Sequence, residues 1–395
     1  MAEEKMMKIR GRVLVLAVSV PVIAFAAIGG FLGKSALARE DSYQYLRIFE
    51  DVVSLINSNY VEEVNIDKVM LGAMHGLADG LDPDSAYLDV AQVKVLDKGD
   101  AGGSAQTGLE LTRQYYLRVI ASRDGSPAAR AGLMAGDYIR AIDGQSTRDS
   151  TVYEGQRLLR GKAGTKVRLT VLRGNAAEPH DLELGREDLP AAPVKSRLAA
   201  PGIGYLRVAE FTKATSDQLK AEVASLSKAG ATRLILDLRG TAFGETDTGL
   251  AAARLFVKSG VLTYRQDRGK EKEAVLAAAG DGAITLTMAV LTDNGTSGAA
   301  EVFTAALSGN KRASTVGERT FGRAARQKLV RLPDGSALML THLIYLTPDS
   351  VAIHEKGLVP DLPVDQPDVE FGQAPPTTDA MLDKAIESLA VKAAA

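Results

Sequence analysis

The stretch TDNGTSGAAEVFTAAL, Thr292–Leu307, takes the chain from a strand pattern into a helix pattern within one tight turn. The largely apolar run Ile284–Leu291 before it predicts a buried strand. The residues after the turn share one helical face: Ala299, Val302, Phe303, Ala306 and Leu307. A strand, an Asn-Gly turn and a helix N-terminus present side chains beside free N–H groups and a positive dipole end. Together with Val316–Gln327, VGERTFGRAARQ, this stretch is the predicted active-site segment.

Upstream of that segment, strand and helix patterns alternate. Ile203–Val208 predicts a strand, Ala214–Ala229 an amphipathic helix, and Arg233–Leu238 a buried strand with the apolar run LILDL. Such alternation favours parallel strands covered by helices, so we predict an α/β layer for this part of the chain.

Other regions have different patterns. Thr107–Glu187 contains short strands separated by glycine turns, with one helix at Thr151–Arg160, and predicts a β-rich domain. Tyr45–Asn59 and Ile66–Gly80 have helical apolar spacing and predict an N-terminal helical region that packs on a partner or on the main body. The C-terminal end is rich in alanine and proline, and we expect a loosely held tail with a short helix at Thr378–Val391.

The composition excludes several kinds of site. The 395 residues contain no cysteine, so disulfides, thiolate chemistry and cysteine-based metal sites are absent. The histidines are scattered without ligand spacing, at His75, His180, His342 and His354. We therefore predict no metal site and no cofactor. The net charge of −2 gives no indication of nucleic-acid binding.

The N-terminus has the pattern of an export signal. Basic residues up to Arg12 precede Val13–Leu32, an uncharged run of about the ~20 residues that a bilayer span needs. This order places the N-terminal end in the cytoplasm and the rest across the membrane. The small-residue pattern that ends at Ala38 allows cleavage there, so the segment is a signal peptide or an uncleaved anchor. Both alternatives export the body of the protein to the periplasm or another extracytoplasmic space.

Several collinear motifs resemble a known family. INSNYVEEVN at 56–65 and GAMHGLADGLDPDSAYLD at 72–89 are similar to the opening of carboxy-terminal processing peptidases, or tail-specific proteases, which carry an LDPHS-type signature here. IGYLRVAEFT, LILDLRG, VLTDNG and VGERTFG follow in the family's order. The resemblance covers nearly all of Tyr45–Val364 and implies an α/β fold, with a ClpP/crotonase-like peptidase core, an inserted β-rich PDZ domain and an N-terminal helical region.

The PDZ resemblance lies in DGSPAARAGLMAGDYIRAIDGQ, Asp124–Gln145, and LLRGKAGTKVRLTVLR, Leu158–Arg173. The predicted divisions of the chain are 1–40 (signal peptide or membrane anchor), 41–100 (N-terminal helical region), 101–188 (PDZ domain), 189–370 (α/β peptidase-like core) and 371–395 (C-terminal tail).

PDZ domains capture a peptide C-terminus as an added strand, with backbone N–H groups on the carboxylate. The resemblance places the carboxylate-binding loop at Gln106–Leu109 and predicts peptide contacts from Thr107, Gly108 and Leu109. Gln106 and Thr107 replace the small and apolar residues usual in this loop, so a PDZ fold that acts only as a spacer is the alternative.

The catalytic positions of the family are changed in this chain. The family uses a serine at a helix start as nucleophile and a lysine on the following loop as base; these positions are Gly298 and Arg323, which keep the family's spacing of 25 positions. Gln327 stands where the family has the glutamine that supports the lysine. Glycine has no nucleophilic atom, and arginine stays protonated in proteins. Losing a nucleophile costs on the order of 10⁶ in rate, so the resemblance implies a vacated site.

The oxyanion segment is changed as well. The family has N-P-G-G after LDLRG, and this chain has Thr241–Gly244, with Phe243 in place of a glycine whose backbone donates to the oxyanion. A bulky side chain there disfavours the dihedral angles that glycine allows.

Ser297 and Thr296 leave two interpretations open. One of them is the N-cap of the helix, which is the interpretation we favour, or Ser297 is an alternative nucleophile. The leading hypothesis is a proteolytically inactive, exported homologue that binds peptide or protein C-termini, or assembles with an active peptidase or with itself. The alternatives are an active serine endopeptidase that uses Ser297 and a structural assembly protein. The membrane contact is assigned to Val13–Leu32, and no nucleic acid is expected.

Overall fold

The computed structural model describes residues 43–99, 103–174, 178–367, 369–373 and 376–391. The predicted export segment Val13–Leu32 and the cleavage point at Ala38 lie outside these residues. Within the described ranges, no helix has the length and apolar character needed to cross a membrane.

The helices of the described chain are α1 (43–59), α2 (Ile66–Asp79), α3 (Val90–Asp97), α4 (Pro127–Arg130), α5 (Val152–Leu159), α6 (Thr215–Lys228), α7 (Thr246–Ala253), α8 (Ala299–Gly309) and α9 (Ala380–Val391). The strands are β1 (Ala86–Leu88), β2 (Leu109–Gln114), β3 (Tyr116–Ser122), β4 (Tyr138–Ile142), β5 (Gln145–Ser146), β6 (Lys166–Leu172), β7 (His180–Gly185), β8 (Lys195–Ala200), β9 (Ile203–Arg207), β10 (Glu210–Phe211), β11 (Arg233–Asp237), β12 (Phe243–Gly244), β13 (Val261–Asp267), β14 (Glu273–Leu276), β15 (Thr287–Thr292), β16 (Ala313–Gly317), β17 (Ala325–Arg331), β18 (Ala337–Leu346) and β19 (Leu362–Pro363).

The chain divides into two compact units, Met1–Ala73 and Met74–Ala395. In the first unit the described residues form α1 and the start of α2, and the Asn65 side chain accepts the Lys68 N–H (3.0 Å) at the beginning of α2. The N-terminal helical region predicted from apolar spacing is therefore confirmed.

In the second unit, a six-stranded sheet carries the candidate site. Its order is β19-β16-β15-β11-β9-β8, and all neighbours pair in parallel except β8 and β9, which are antiparallel. In β11, Leu234 and Leu236 belong to the core cluster on one face, with α6, α7 and α8, whereas Ile235 belongs to the cluster on the other face. The strand is buried on both faces, as its apolar run predicted.

The C-terminal helix is firmly packed, which contradicts the expectation of a loosely held tail. Met381, Ala385 and Leu389 of α9 are buried against the face of the sheet that the other helices leave uncovered. Asp379, just before the helix, forms a two-pronged ion pair with Arg239 (both N–O distances 2.8 Å). The composition of the tail did not reveal this packing, because the apolar stripe of α9 finds its partner only once the sheet has formed.

The β-rich domain forms a separate sheet in the order β2-β3-β4-β6-β7, with β5 paired to β4. Its core is a cluster of its own, built from strand residues and from α4 and α5. A further antiparallel sheet, β1-β18-β13-β14 with β17 on β18, covers the peptidase-like core. The α/β core, the β-rich domain and the helical region are thus all present.

Candidate active site

Gly298 lies between β15 and α8, at the step where the parallel sheet delivers the chain to a buried helix. Its backbone has φ 61° and ψ −114°. Side chains with a Cβ rarely adopt such a φ, and a strand-to-helix turn with this strain is the usual seat of an exposed nucleophile. A Cβ added at Gly298 would have Arg323 O, at 3.9 Å, as its nearest neighbour. The site therefore keeps both the strained turn and the room for a side chain, without the side chain.

The predicted N-cap by Thr296 or Ser297 is wrong. Gly298 is the N-cap residue, and Glu301 reaches back to accept its N–H (3.0 Å). Thr296 instead holds the turn, with Oγ1 2.9 Å from Leu238 O and accepting the Asp293 N–H (3.0 Å). The helix begins one residue later than predicted, after a glycine that has no side chain for capping. The capping carboxylate therefore comes from Glu301, inside the helix.

Ser297 is 2% exposed, and its N–H donates to Thr241 O (2.9 Å). Its Oγ makes no hydrogen bond with any described residue. Among the described residues, none is placed as a general base for Ser297 and none forms a hydrogen bond with its hydroxyl.

Glu301 ties the helix start to the loop that carries Arg323. Its buried carboxylate accepts four hydrogen bonds, from Thr320 Oγ1 (2.5 Å), Gly322 N (2.6 Å), Arg323 N (2.7 Å) and Gly298 N (3.0 Å). Burial raises the pKa of Glu301 to about 7, against the effect of these donors. One side chain thus holds Gly298 and Arg323, the two positions predicted to be vacated, next to each other.

The Arg323 side chain is engaged by two carboxylates from other parts of the chain. Its Nε lies 3.0 Å from Asp84 Oδ2 and its Nη2 2.8 Å from Asp84 Oδ1, while Nη1 donates to Glu110. Burial lowers the pKa of Arg323, but Asp84 and Glu110 outweigh burial and raise the pKa above its ordinary value. Burial in turn raises the pKa of Glu110 despite Arg323. A guanidinium held in this way cannot accept a proton.

Gln327 and Phe243 both make contacts that hold parts of the structure together. Gln327 on β17 donates from Nε2 to Thr341 Oγ1 of β18 (3.3 Å). Phe243 on β12 lies with its ring 5.9 Å from the Arg123 guanidinium of the β-rich domain. Gly244 keeps the glycine conformation, with φ 113°, and a Cβ there would be 2.1 Å from Phe211 O. In the predicted oxyanion segment, Gly244 keeps a glycine that the backbone requires. The residue before it, Phe243, contacts the β-rich domain.

The three predicted peptide contacts of the PDZ domain lie at the start of its edge strand. Thr107 is fully buried, and its Oγ1 has no hydrogen-bond partner among the described residues. The carbonyl groups of Thr107 and Gly108 accept the N–H groups of Ala128 (3.0 Å) and Arg123 (2.8 Å). The N–H groups of Thr107 and Gly108 donate to no described residue. Buried N–H and hydroxyl groups without a partner among the described residues supply the donors that a carboxylate needs.

Side chains from other elements already form hydrogen bonds with the carbonyl groups of the edge strand β2. β2 ends the sheet, so a peptide would add along its outer edge. Gln156 of α5 donates from Nε2 to Leu109 O (3.3 Å), and Arg323 Nη1 donates to Leu111 O (3.4 Å). A ligand that adds to this edge must replace both donors.

The fold and site define a class: an α/β core with a strained strand–turn–helix site, joined to a PDZ-like domain. Comparison with known proteins gives the same class. Residues 202–364 match the profile of Peptidase family S41, and residues 118–173 match that of the PDZ domain. The chain belongs to this peptidase family, among the carboxy-terminal processing proteases.

Two similar relatives cover most of the chain. The chain is 31% identical over 362 residues to a carboxy-terminal-processing protease of Bartonella bacilliformis, covering 87% of this chain and 83% of that protein. It is 32% identical over 372 residues to a probable CtpA-like serine protease of Staphylococcus aureus, covering 93% and 74%. Among solved structures, the photosystem II D1 C-terminal processing protease matches with a TM-score of 0.66 and 28% identity, over 80% of this chain and 92% of that one.

Sequence reasoning missed the two carboxylates that hold Arg323. One signal was available, because Asp84 stands at the histidine of the family's LDPHS-type signature. Glu110 carried no signal, because it is an ordinary polar residue of an edge strand.

Proposed function

We propose that this chain is a proteolytically inactive member of the carboxy-terminal processing protease family that binds the free C-termini of peptides or proteins through its PDZ domain. One observation carries the proposal. The nucleophile position, Gly298, has no reactive atom, and the base position, Arg323, is held between Asp84 and Glu110. Loss of either group alone removes the proton transfer on which a serine-lysine mechanism depends.

The peptide-binding part rests on the loop before β2. Thr107 and Gly108 offer N–H groups without an acceptor in the described chain, and the buried Thr107 Oγ1 adds a further donor. The proposal includes export, with the body outside the cytoplasm and attached through Val13–Leu32 unless cleavage occurs after Ala38. A bound C-terminus would then be held for an active peptidase of the same family.

Two alternatives have an observation in their favour. The Ser297 hydroxyl, beside Gly298, has no hydrogen-bond partner among the described residues, which supports an active endopeptidase. The side chains on the β2 edge support a structural assembly protein whose PDZ domain takes no peptide.

The binding experiment compares two forms of one peptide on the full chain. A fluorescein-labelled peptide that ends in Leu-Ala-Ala is titrated by anisotropy with its C-terminus free or amidated, and its mass is checked afterwards. We expect amidation to weaken binding by about tenfold or more, because it removes the charge that the N–H groups hold. Equal binding of both forms contradicts the carboxylate site. No binding of either form supports the assembly protein, and a shortened peptide supports the active enzyme.

A further inference from the structure

Residues 369–373, between β19 and α9, contact the PDZ domain through one aromatic ring. The Phe371 ring stacks on the His180 imidazole, with a centroid distance of 4.4 Å and an interplanar angle of 12°. The Arg173 guanidinium lies 4.8 Å from the centre of the same ring. His180 begins β7 and Arg173 follows β6, so the ring contacts one end of this antiparallel pair. We call this contact of Phe371 with His180 and Arg173 the tail pin.

The PDZ side of the tail pin is firmly held. Arg173 donates from Nε and Nη2 to the two carboxylate oxygens of Asp137 (both 2.7 Å), and the Asp137 side chain is 1% exposed. His180 is held by its pairing with Val171 across β6 and β7. The tail pin therefore rests on the sheet of the domain and on a buried ion pair.

A closed turn presents the ring. The Gln373 N–H donates to Glu370 O (3.1 Å), and the Gln373 side chain donates from Nε2 to Glu370 Oε2 (2.8 Å). Gly372 has φ 83°, which residues with a Cβ rarely adopt. Phe371 is partly buried in this turn, whereas Gln373 is exposed. The turn thus gives its aromatic side chain to the PDZ domain and keeps the polar one in solvent.

The tail is attached to the core on both sides of the pin. Before it, the Gln366 N–H donates to Glu318 Oε1 (3.0 Å), one residue beyond the end of β16. After it, Asp379 pairs with Arg239, two residues beyond the end of β11 (both N–O distances 2.8 Å). The tail pin therefore connects the PDZ domain to the carboxyl end of the parallel sheet.

The chain enters and leaves the PDZ domain at one place. The Gln106 N–H donates to Glu187 O (2.9 Å) and the Glu187 N–H to Gln106 O (3.1 Å), so the two connections lie side by side. Adjacent connections form a hinge about which a domain can turn unless other contacts hold it. His180 lies at the opposite end of β7 from Gly185, about 17 Å away at 3.4 Å per residue. The tail pin acts far from the hinge, where a contact opposes rotation most effectively.

Ion pairs hold the other side of the PDZ sheet. Asp124, after β3, pairs with Arg207 of β9 (2.8 and 3.0 Å), and Glu110 of β2 pairs with Arg323. β2 and β7 are the two edges of this sheet. A domain attached at both edges keeps its position, whereas a domain attached at one edge can turn.

We propose that the tail pin locks the PDZ domain against the core, so that the domain turns about its hinge only when Phe371 leaves His180 and Arg173. A stacked pair and a cation–π contact are individually modest, and together they change the ratio of locked to turned molecules by about tenfold. The proposal is independent of whether Gly298 marks a vacated site and of whether the PDZ domain takes a peptide.

The test measures the distance between the PDZ domain and the core in the full chain in detergent. The chain has no cysteine, so Arg168→Cys in β6 and Ala224→Cys in α6 supply two exposed sites for nitroxide labels. Double electron–electron resonance should give one narrow distance for this pair. Phe371→Ala, added to the labelled chain, should raise the share of other distances by about tenfold, and His180→Ala should do the same.

Two controls assign the effect to the ring. Phe371→Tyr keeps an aromatic ring and should keep the narrow distance. Gln373→Ala removes a side chain of the same turn that bonds to Glu370 and should also keep it. A broad distribution without any substitution in the tail, or a Phe371→Ala distribution as narrow as that of the labelled parent, overturns the proposal. Equal broadening in Gln373→Ala would overturn the role of the ring.

Discussion

The Arg323 guanidinium forms an ion pair with the Asp84 carboxylate, with Nε 3.0 Å from Oδ2 and Nη2 2.8 Å from Oδ1. These are the two positions at which the chain departs from the lysine and from the LDPHS-type histidine of the family it resembles. The two changes form one ion pair, which Glu110 extends into the PDZ domain. At the position where the family resemblance places a base, this chain has a positive charge that joins three parts of the second unit.

Removal of the arginine should destabilise the protein strongly. Arg323→Ala leaves Asp84 and Glu110 largely buried without a cation, and we expect a loss of roughly 3–5 kcal/mol in the free energy of unfolding. The matched control is Arg331→Ala, whose ion pair with Asp97 is half exposed and screened by solvent, so this variant should lose far less stability. Urea unfolding of both variants measures the difference. Equal losses would show that Arg323 has no special structural role.

The two glycines of the site should respond differently to a methyl group. Gly298→Ala meets no atom closer than Arg323 O at 3.9 Å and has only the strain of a positive φ to overcome, so we expect a cost of about 1–2 kcal/mol. Gly244→Ala places its Cβ 2.1 Å from Phe211 O and must move backbone, so it should cost several-fold more. Thermal unfolding compares the two. A larger loss for Gly298→Ala would contradict the room for a methyl group at this position.

Stability should fall with rising pH through Glu301. Burial raises the pKa of Glu301 to about 7 from 4.5, so the folded state favours the protonated acid. The stabilisation is complete below pH 4.5 and is lost as pH rises through 7, a change on the order of 3 kcal/mol. Urea unfolding between these pH values should show this slope for the wild type and not for Glu301→Gln. An identical slope in both proteins would assign it to other groups.

Peptide affinity should rise when the β2 edge is freed, provided that the PDZ domain binds C-termini as proposed. Gln156→Ala removes the donor on Leu109 O, whose net contribution is about 0.5–1.5 kcal/mol. We expect the labelled free-carboxylate peptide to bind about 2- to 10-fold more tightly. Arg157→Ala, one position on in the same helix, serves as the control and should leave affinity unchanged. A weaker complex for Gln156→Ala would mean that this side chain contacts the peptide.

Much of the fold was predictable because it depends on local periodicity. The unbroken apolar run in LILDL predicts a strand buried on both faces. The neighbourhood of Gly298 and Arg323 followed from the family resemblance, whose motif spacing the two positions keep. The features that the sequence did not reveal depend on contacts between residues far apart in the chain. Asp84 lies 239 positions from Arg323 and Glu110 213 positions, so no local pattern joins them. The N-cap was misplaced because Glu301 reaches back from within the helix, which composition cannot show.

The most direct measurement is peptide-bond cleavage by the purified full chain. An unfolded protein with an apolar C-terminus is incubated with the wild type and with Ser297→Ala, and the products are followed by mass spectrometry. With glycine at the nucleophile position and a paired arginine at the base position, we expect no cleavage above the buffer control for either protein. Cleavage by the wild type that Ser297→Ala abolishes would contradict a vacated site.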